Sequence, residues 1–384
     1  MVASRNPFNF GDLALDEDFA DRDAELAEVV ADIRNGQNLV IFAPRRYGKS
    51  SLVWRAAQQL VAKNQALVAQ VDLMRTTTKE QLAAALAKAI YDEIATPLFR
   101  ARERAEKMFG GLRIVPVMTV DPGTGGLGFS FRAGHVQADI DATLESLLEL
   151  PAQLAAERRK RVALVLDEFQ EVLALDPHLP SLLRAVFQTQ PDVAHVYLGS
   201  KRTMMERLFD DANEPFWRSA KRMELDVIAA EAFAPFLIDR FAATHRRLSP
   251  EVAAQVLAVT GGHPYATQEL CYALWEETPR SRGAGPDALS RALDRVLRSE
   301  HAHFSLVWEN ASNVQRLVLQ ALAAEPASAL LAREYRRRHD LPGPSSVQRA
   351  VNALVEEELV RRSDSGEYRI TEPFLDEWLR RRLS

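Results

Sequence analysis

Residues Leu39-Val40-Ile41-Phe42-Ala43-Pro44-Arg45-Arg46-Tyr47-Gly48-Lys49-Ser50-Ser51-Leu52 decide the fold of this 384-residue chain. An apolar run of strand character enters a tight loop, and Gly-Lys-Ser opens a helix-forming stretch. That is the layout of a Walker A phosphate-binding loop, [AG]-x-x-x-x-G-K-[ST], with Ala43 in the first glycine's place. The loop's backbone N–H groups can wrap a β-phosphate, and the positive end of the following helix dipole faces it. Gly48 permits close backbone approach, Lys49 reaches the β/γ oxygens, and the Ser50 hydroxyl can ligate Mg²⁺.

A second stretch completes the chemistry. Val162-Ala163-Leu164-Val165-Leu166 is an apolar run of strand length ending in Asp167-Glu168, about 118 residues after Lys49. At the C-terminal end of a buried parallel strand this pair reads as a Walker B motif. Asp167 would hold Mg²⁺, directly or through water, and Glu168 would polarise the attacking water as general base. An Asp at such a place otherwise caps the following helix; the distance from Lys49 in a βαβ chain favours the Walker reading.

Composition sets the outer bounds. The length suggests two or three domains, and 47% apolar residues suffice for real cores. A net charge of −5 gives no support to non-specific nucleic-acid binding by the whole chain. The single cysteine, Cys271, excludes an intramolecular disulfide framework and a Cys-cluster metal site, and its apolar helical surroundings make it a small core residue. No run approaches the 18 apolar residues of a membrane span, and Met1 to Pro7 lacks a signal-peptide core, so no membrane contact and a cytoplasmic location are expected.

Along the chain, a helix within Phe19–Arg34 precedes the Walker A strand, and helix 49–63, strand Leu67–Asp72 and a helical region from about 78 to 109 follow. A β-hairpin inserted at about 113–133 comes before helix 138–158. The Walker B strand, a helix near 179–188, strand His195–Ser200 and strand Arg222–Asp226 make five parallel strands of a three-layer α/β sandwich. Residues 230–305 read all-helical, with Gly261-Gly262-His263-Pro264 separating two helices. From about 312 come helices 312–323, 328–339 and 345–358, with Ser345 or Ser346 as N-cap of the third. A hairpin around Ser363–Gly366 follows, which together is a winged helix, and a last amphipathic turn carries Phe374, Leu375, Trp378 and Leu379. The implied domains are 1–228, 229–308 and 309–384.

The chain resembles the AAA-type ATPases of the archaeal ATPase and STAND group. Asn6-Pro7-Phe8 and Phe19 to Leu26 are similar to its N-terminal Phe-x-x-Arg-x-x-Glu-Leu element, which implies an adenine-side role for Arg22. Pro44-Arg45-Arg46-Tyr47-Gly48-Lys49-Ser50-Ser51-Leu52 resembles its Pro-Arg-Arg-x-Gly-Lys-[ST]-Ser-Leu loop. Leu166-Asp167-Glu168-Phe169-Gln170 resembles its Walker B, Leu198-Gly199-Ser200 its sensor strand, Gly261-Gly262-His263-Pro264-Tyr265 its lid motif, and Pro373 to Arg380 its C-terminal signature. About 90% of the chain is covered. Ala43 and Ser50 depart from the commoner Gly and Thr, and both are allowed in phosphate loops.

The resemblance implies a P-loop domain, a helical lid and a winged helix, with ATP or ADP and Mg²⁺ between P-loop domain and lid. It implies an ATP-hydrolysing conformational switch with low or partner-dependent activity, an unidentified protein partner, and room for a homo-oligomer. Several roles stay open. Ser200 either senses the γ-phosphate or attacking water, or caps the next turn. Arg218, in Phe216-Trp217-Arg218, either acts as an arginine finger or sits in a surface ion pair. His263 either donates to nucleotide or sensor strand, or is structural, while Pro264 sets the lid angle near the adenine. Arg45 and Arg46 can touch phosphates, a partner surface or DNA. The winged helix leaves a DNA-binding ATPase as one alternative: twelve Arg meet eleven acidic residues from 312 on, a near-neutral balance. Gln348, Arg349 and Asn352 can read bases, and Arg361, Arg362 and Arg369 can touch backbone. A nucleotide-binding scaffold with negligible hydrolysis is another alternative.

Overall fold

Strand β1 (Leu39–Phe42) is buried at every position, and the helix Lys49–Ala62 begins one residue after Gly48, as the opening stretch predicts. The computed structural model describes residues 5–11, 13–14, 19–94, 108–120, 127–131, 137–280, 283–363 and 366–383. They group into two compact units. One comprises Arg22–Ala43 and Lys49–Leu225, the other Met1–Asp21, Pro44–Gly48 and Asp226–Ser384.

In the first unit, β2 (Ala66–Asp72), β5 (Arg161–Asp167), β6 (Val193–Gly199) and β7 (Lys221–Glu224) join β1 in one sheet. Its order is β2-β5-β6-β1-β7 and every pair is parallel. The inner strands read as apolar runs, broken in β6 only by the buried His195, because both faces of a parallel sheet are covered. β6 is buried along its whole length, whereas the edge strand β7 buries only Met223. Register aligns Asp72 with Asp167, Leu166 with Tyr197, and Phe42 with Gly199. The C-terminal ends of β1, β5 and β6 therefore lie side by side, where open α/β sheets place their ligands. Behind β6, Phe169, Tyr197, Phe209 and Phe216 form one aromatic group with ring centroids 4.6–5.8 Å apart.

The hairpin insertion is present, as β3 (Val117–Val120) paired antiparallel with β4 (Leu127–Ser130). Its strands are shorter than the expected 113–133. Pro116, which has no N–H to donate, marks where pairing begins. The turn between the strands lies outside the described residues. Of the helical region expected over 78–109, Lys79–Ile94 is helical, and residues 95–107 also lie outside the description.

The second unit is built from helices: Ala230–Ala243, Pro250–Thr260, Pro264–Glu277, Pro286–Asn310, Asn313–Ala324, Arg333–Arg338, Pro344–Glu356 and Pro373–Leu383. To these it adds a two-residue parallel pairing of β8 (Arg247–Leu248) with β9 (Gly283–Ala284) and the wing hairpin β10 (Val360–Arg362) with β11 (Tyr368–Ile370). One continuous apolar core runs through it and includes Cys271, Phe374, Leu375, Trp378 and Leu379. Phe8 is in that core too, packed on Phe241 at 5.2 Å. Phe10 meets Tyr265 and Tyr272 edge-on, and the Asn6 side chain donates to the Tyr272 carbonyl.

Two local expectations are corrected. The helix expected over 328–339 is confined to Arg333–Arg338, because Ala327 bridges Tyr368 of the wing through backbone hydrogen bonds in both directions and ties the chain there before it can turn helical. The third helix of the winged helix starts at Pro344 with Gly343 as its cap, so Ser345 and Ser346 fall inside its first turn. Proline at the first helical position needs no donor there.

Candidate nucleotide-binding site

The site begins with residues that the end of the sheet delivers. Lys49, nearly buried, curls back so that its ammonium donates to the Ala43 carbonyl at 2.9 Å. One residue on, the Ser50 hydroxyl donates to Asp167 Oδ2 at 2.7 Å, and Asp167 Oδ1 accepts the Glu168 backbone N–H at 2.9 Å. Burial raises the Asp167 carboxyl above its ordinary range. The Ser50 hydrogen bond opposes that rise, the Glu168 charge adds to it, and Lys49 lowers it again. A hydroxyl and a carboxylate oxygen held in contact are the donor set of a hard cation that draws its other ligands from phosphate and water. Ser50 and Asp167 thus fit Mg²⁺; among the described residues no group of three His, Cys, Asp or Glu forms a self-sufficient metal cage.

Glu168 follows in a left-handed backbone conformation (φ 52°, ψ 48°) that caps the short turn Phe169–Glu171. Its Oε2 accepts the Ser200 hydroxyl at 2.7 Å and the Gln170 side-chain amide at 2.5 Å. Ser200 therefore spends its proton on the expected general base, while the cap of the next helix, Arg202–Asp210, is Lys201. A second tie joins the same segments, an ion pair between Lys201 and Glu171 at 3.0 Å.

The crest of the phosphate loop belongs to the other unit. Arg46 has φ 67° and Gly48 φ 88°, and a Cβ at Gly48 would meet nothing within 4 Å. The backbone there is open to an incoming group, as the motif requires. Tyr47 is buried edge-on against His263, with centroids 4.7 Å apart, and Arg46 lies 4.1 Å over the Tyr265 ring. Arg45 pairs with Glu358 at 3.7 Å. His263 caps the helix Pro264–Glu277 by accepting the Ala266 N–H at Nδ1, with Pro264 in the first turn. Burial first, then the Arg361 and Arg46 charges, hold its imidazole down to about 3, so it is neutral.

The structure thus gathers Lys49, Ser50, Asp167, Glu168 and Ser200 into one hydrogen-bonded set. Ser51 is buried in the helix behind them. Arg22 is buried at the cap of the helix Asp23–Arg34 and donates to Glu25 at 2.9 Å. Arg218 is exposed, with φ 50° and its guanidinium 5.1 Å over the exposed Trp217; among the described residues no carboxylate pairs with it. Gln170 is the member that reading the sequence leaves without a role. Its signal was an uncharged polar side chain two residues after the acidic pair, next to Phe169.

With this geometry in hand, sequence comparison matches residues 19–270 to the family described as an ATPase domain predominantly from Archaea. The chain belongs to that family. A probable winged helix domain matches residues 302–381 of this archaeal-type ATPase. No curated protein matches it significantly. Among solved structures it is similar to a Walker-type ATPase of Pyrococcus abyssi, at 15% identity and a TM-score of 0.67, over 97% of this chain and 99% of that one. It is also similar to the ORC2 protein of Aeropyrum pernix, solved as ADPNP–ADP complexes, at 14% identity and a TM-score of 0.51, over 99% and 98%. These likenesses establish the fold: a parallel-sheet P-loop core, a helix-rich C-terminal region and a winged helix. No helix among the described residues is long and apolar enough to cross a membrane.

Proposed function

We propose that this ATPase-family chain binds ATP with Mg²⁺ on the loop from Ala43 to Ser50 and hydrolyses it slowly, as a conformational switch. The observation that carries the reading is the hydrogen-bonded set at the sheet's end, in which Ser50 meets Asp167 and Ser200 meets Glu168. Lys49 is the cation for the β/γ-phosphates, and the open backbone at Gly48 admits them. Mg²⁺, held by Ser50 and Asp167, would neutralise the charge that develops on the transferred phosphoryl group. Glu168 would accept a proton from the attacking water, its carboxylate aimed by side chains that leave Oε1 free of both donors. ATP differs from ADP here through the γ-phosphate, which offers Ser200 an acceptor that ADP lacks. We divide the chain functionally at 1–228, 229–308 and 309–384, with Arg22, His263 and Pro264 on the adenine side, Arg45, Arg46, Tyr47 and Ser51 around the phosphates, and Arg218 as a finger toward a neighbouring copy.

A DNA-binding reading draws on the winged helix, whose helix Pro344–Glu356 leaves Arg349 and Asn352 exposed. The neighbouring arginines speak against it. Arg361 is paired with Asp226, Arg369 with Glu367, Arg338 with Glu325, and Arg381 with Glu377 and Asp294. Each pair would have to open before a phosphate could be bound.

The test is steady-state ATP hydrolysis by wild type beside Glu168→Gln, with and without duplex DNA. Turnover that is lost in the variant and indifferent to DNA supports the switch. Stimulation by DNA would promote the second reading, and wild-type turnover in Glu168→Gln would remove Glu168 from its role.

A further inference from the structure

We propose that Gln170 is a positioning residue for Glu168, keeping its carboxylate aimed when Ser200 changes partner. The inference rests on the hydrolytic reading above for its catalytic consequence, but the contact itself is independent of it. Gln170 has no solvent exposure, and its Nε2 donates to Glu168 Oε2 at 2.5 Å. Its Oε1 is buried and, among the described residues, has no hydrogen-bond partner. An orphaned buried carbonyl is destabilising. A methionine or leucine would fill this space without that cost, so the amide answers to its one bonded end.

The surroundings make that bond directional. Phe169, immediately before Gln170, is locked in the aromatic group with Tyr197, Phe209 and Phe216. The Glu171 N–H closes the turn on the Glu168 carbonyl at 3.0 Å, and Lys201 pins Glu171 from the side. Glu168 sits in a backbone conformation that few non-glycine residues adopt, so its side chain leaves the sheet in a fixed direction. Its two donors share Oε2, and neither occupies Oε1.

The two donors differ in one respect. A serine hydroxyl has a single proton, so Ser200 can donate to Glu168 or to a γ-phosphate oxygen but not to both. Gln170, enclosed in the core, meets no such rival. The arrival of a γ-phosphate would therefore remove one anchor from Glu168 and leave the other. Gln170 keeps the carboxylate oriented in the state where orientation counts.

Two measurements test this. In ¹H–¹⁵N spectra, the Gln170 side-chain amide, assigned by its loss in Gln170→Met, should show one strongly displaced proton that returns to an ordinary position in Glu168→Ala. An amide unaffected by Glu168→Ala overturns the proposal, whether or not the protein hydrolyses ATP. In steady-state kinetics, Gln170→Met should lower kcat about 10- to 100-fold, with KM moved less than about twofold. In the Glu168→Gln background the same substitution should cost nothing further, because the group it positions is gone. Wild-type kcat in Gln170→Met, or an equal fractional loss in both backgrounds, overturns the positioning role. Gln170→Leu serves if the methionine variant does not fold. Absent turnover in wild type would sink the hydrolytic reading alone.

Discussion

Gly48 shows how much a single residue type can be asked to do. At φ 88° a side chain is strained, yet a Cβ there would meet nothing within 4 Å, so Gly48→Ala should cost about 1–2 kcal/mol of backbone energy without a clash. Its larger effect should be on nucleotide affinity, since the added methyl fills the open space where phosphate approaches. Fluorescence titration with a labelled nucleotide, beside thermal unfolding, separates the two. Lys49→Ala should weaken ATP binding at least about 100-fold while leaving the fold intact, because its ammonium, donating to the Ala43 carbonyl at the mouth of the loop, is the main cation for the phosphates. Calorimetry showing normal affinity would reject the assignment. Arg218→Ala offers a contrast. The side chain is exposed and makes no ion pair among the described residues, so stability should stay within about 0.5 kcal/mol. Turnover that falls with protein concentration in wild type but not in Arg218→Ala would place the guanidinium at a neighbour's nucleotide.

At the scale of elements, the two adjacent glycines between helices Pro250–Thr260 and Pro264–Glu277 make a sharp comparison. Gly261 has φ 58° and open space where a Cβ would go. Gly262 has φ 73°, and its Cβ would lie 2.2 Å from the Ile228 carbonyl oxygen, beside the hydrogen bond from Ile228 N–H to Gly262 O. Gly261→Ala should cost about 1 kcal/mol, and Gly262→Ala well over twice that, since backbone must move. Equal thermal midpoints would contradict the packing. Much of this level was legible in the sequence. Strands β1, β5 and β6 were readable because burial on both faces leaves a mostly apolar run, and the phosphate loop because few residue patterns satisfy its backbone. The helix over 328–339 misread because its boundary is set by a distant pairing of Ala327 with Tyr368, which local periodicity does not register. Gln170 was visible but mute: only the fold brings Ser200 to the same carboxylate oxygen, from 32 residues away.

For the whole molecule, buried titratable groups pull stability in two directions. Glu269, held up to about 7 by burial and by the Glu300 and Glu372 charges against Arg46, keeps its proton in the native state where the unfolded chain releases it near 4.5. The native state then binds more protons over that window, so this group's contribution falls as pH rises from about 4.5 to 7. His195 and His263, held near 3 chiefly by burial, act oppositely: the unfolded chain takes their protons below about 6.5 and the native state refuses them, so stability rises with pH up to there. Glu269→Gln should unmask the rising limb, gaining about 1–3 kcal/mol on wild type between pH 4 and pH 8 in denaturant titrations. A parallel pair of pH curves would refute the assignment. The placement of Phe8 and Phe10 has a consequence in time. Phe8 leaves the ribosome 233 residues ahead of Phe241, the ring it packs against. At about 5–20 residues per second, these aromatic side chains wait some ten to fifty seconds for their partners to be made. Newborn chains of this protein therefore carry these two phenylalanine rings unsheltered until Phe241, Tyr265 and Tyr272 have emerged, a natural landing place for chaperones that scan emerging polypeptides.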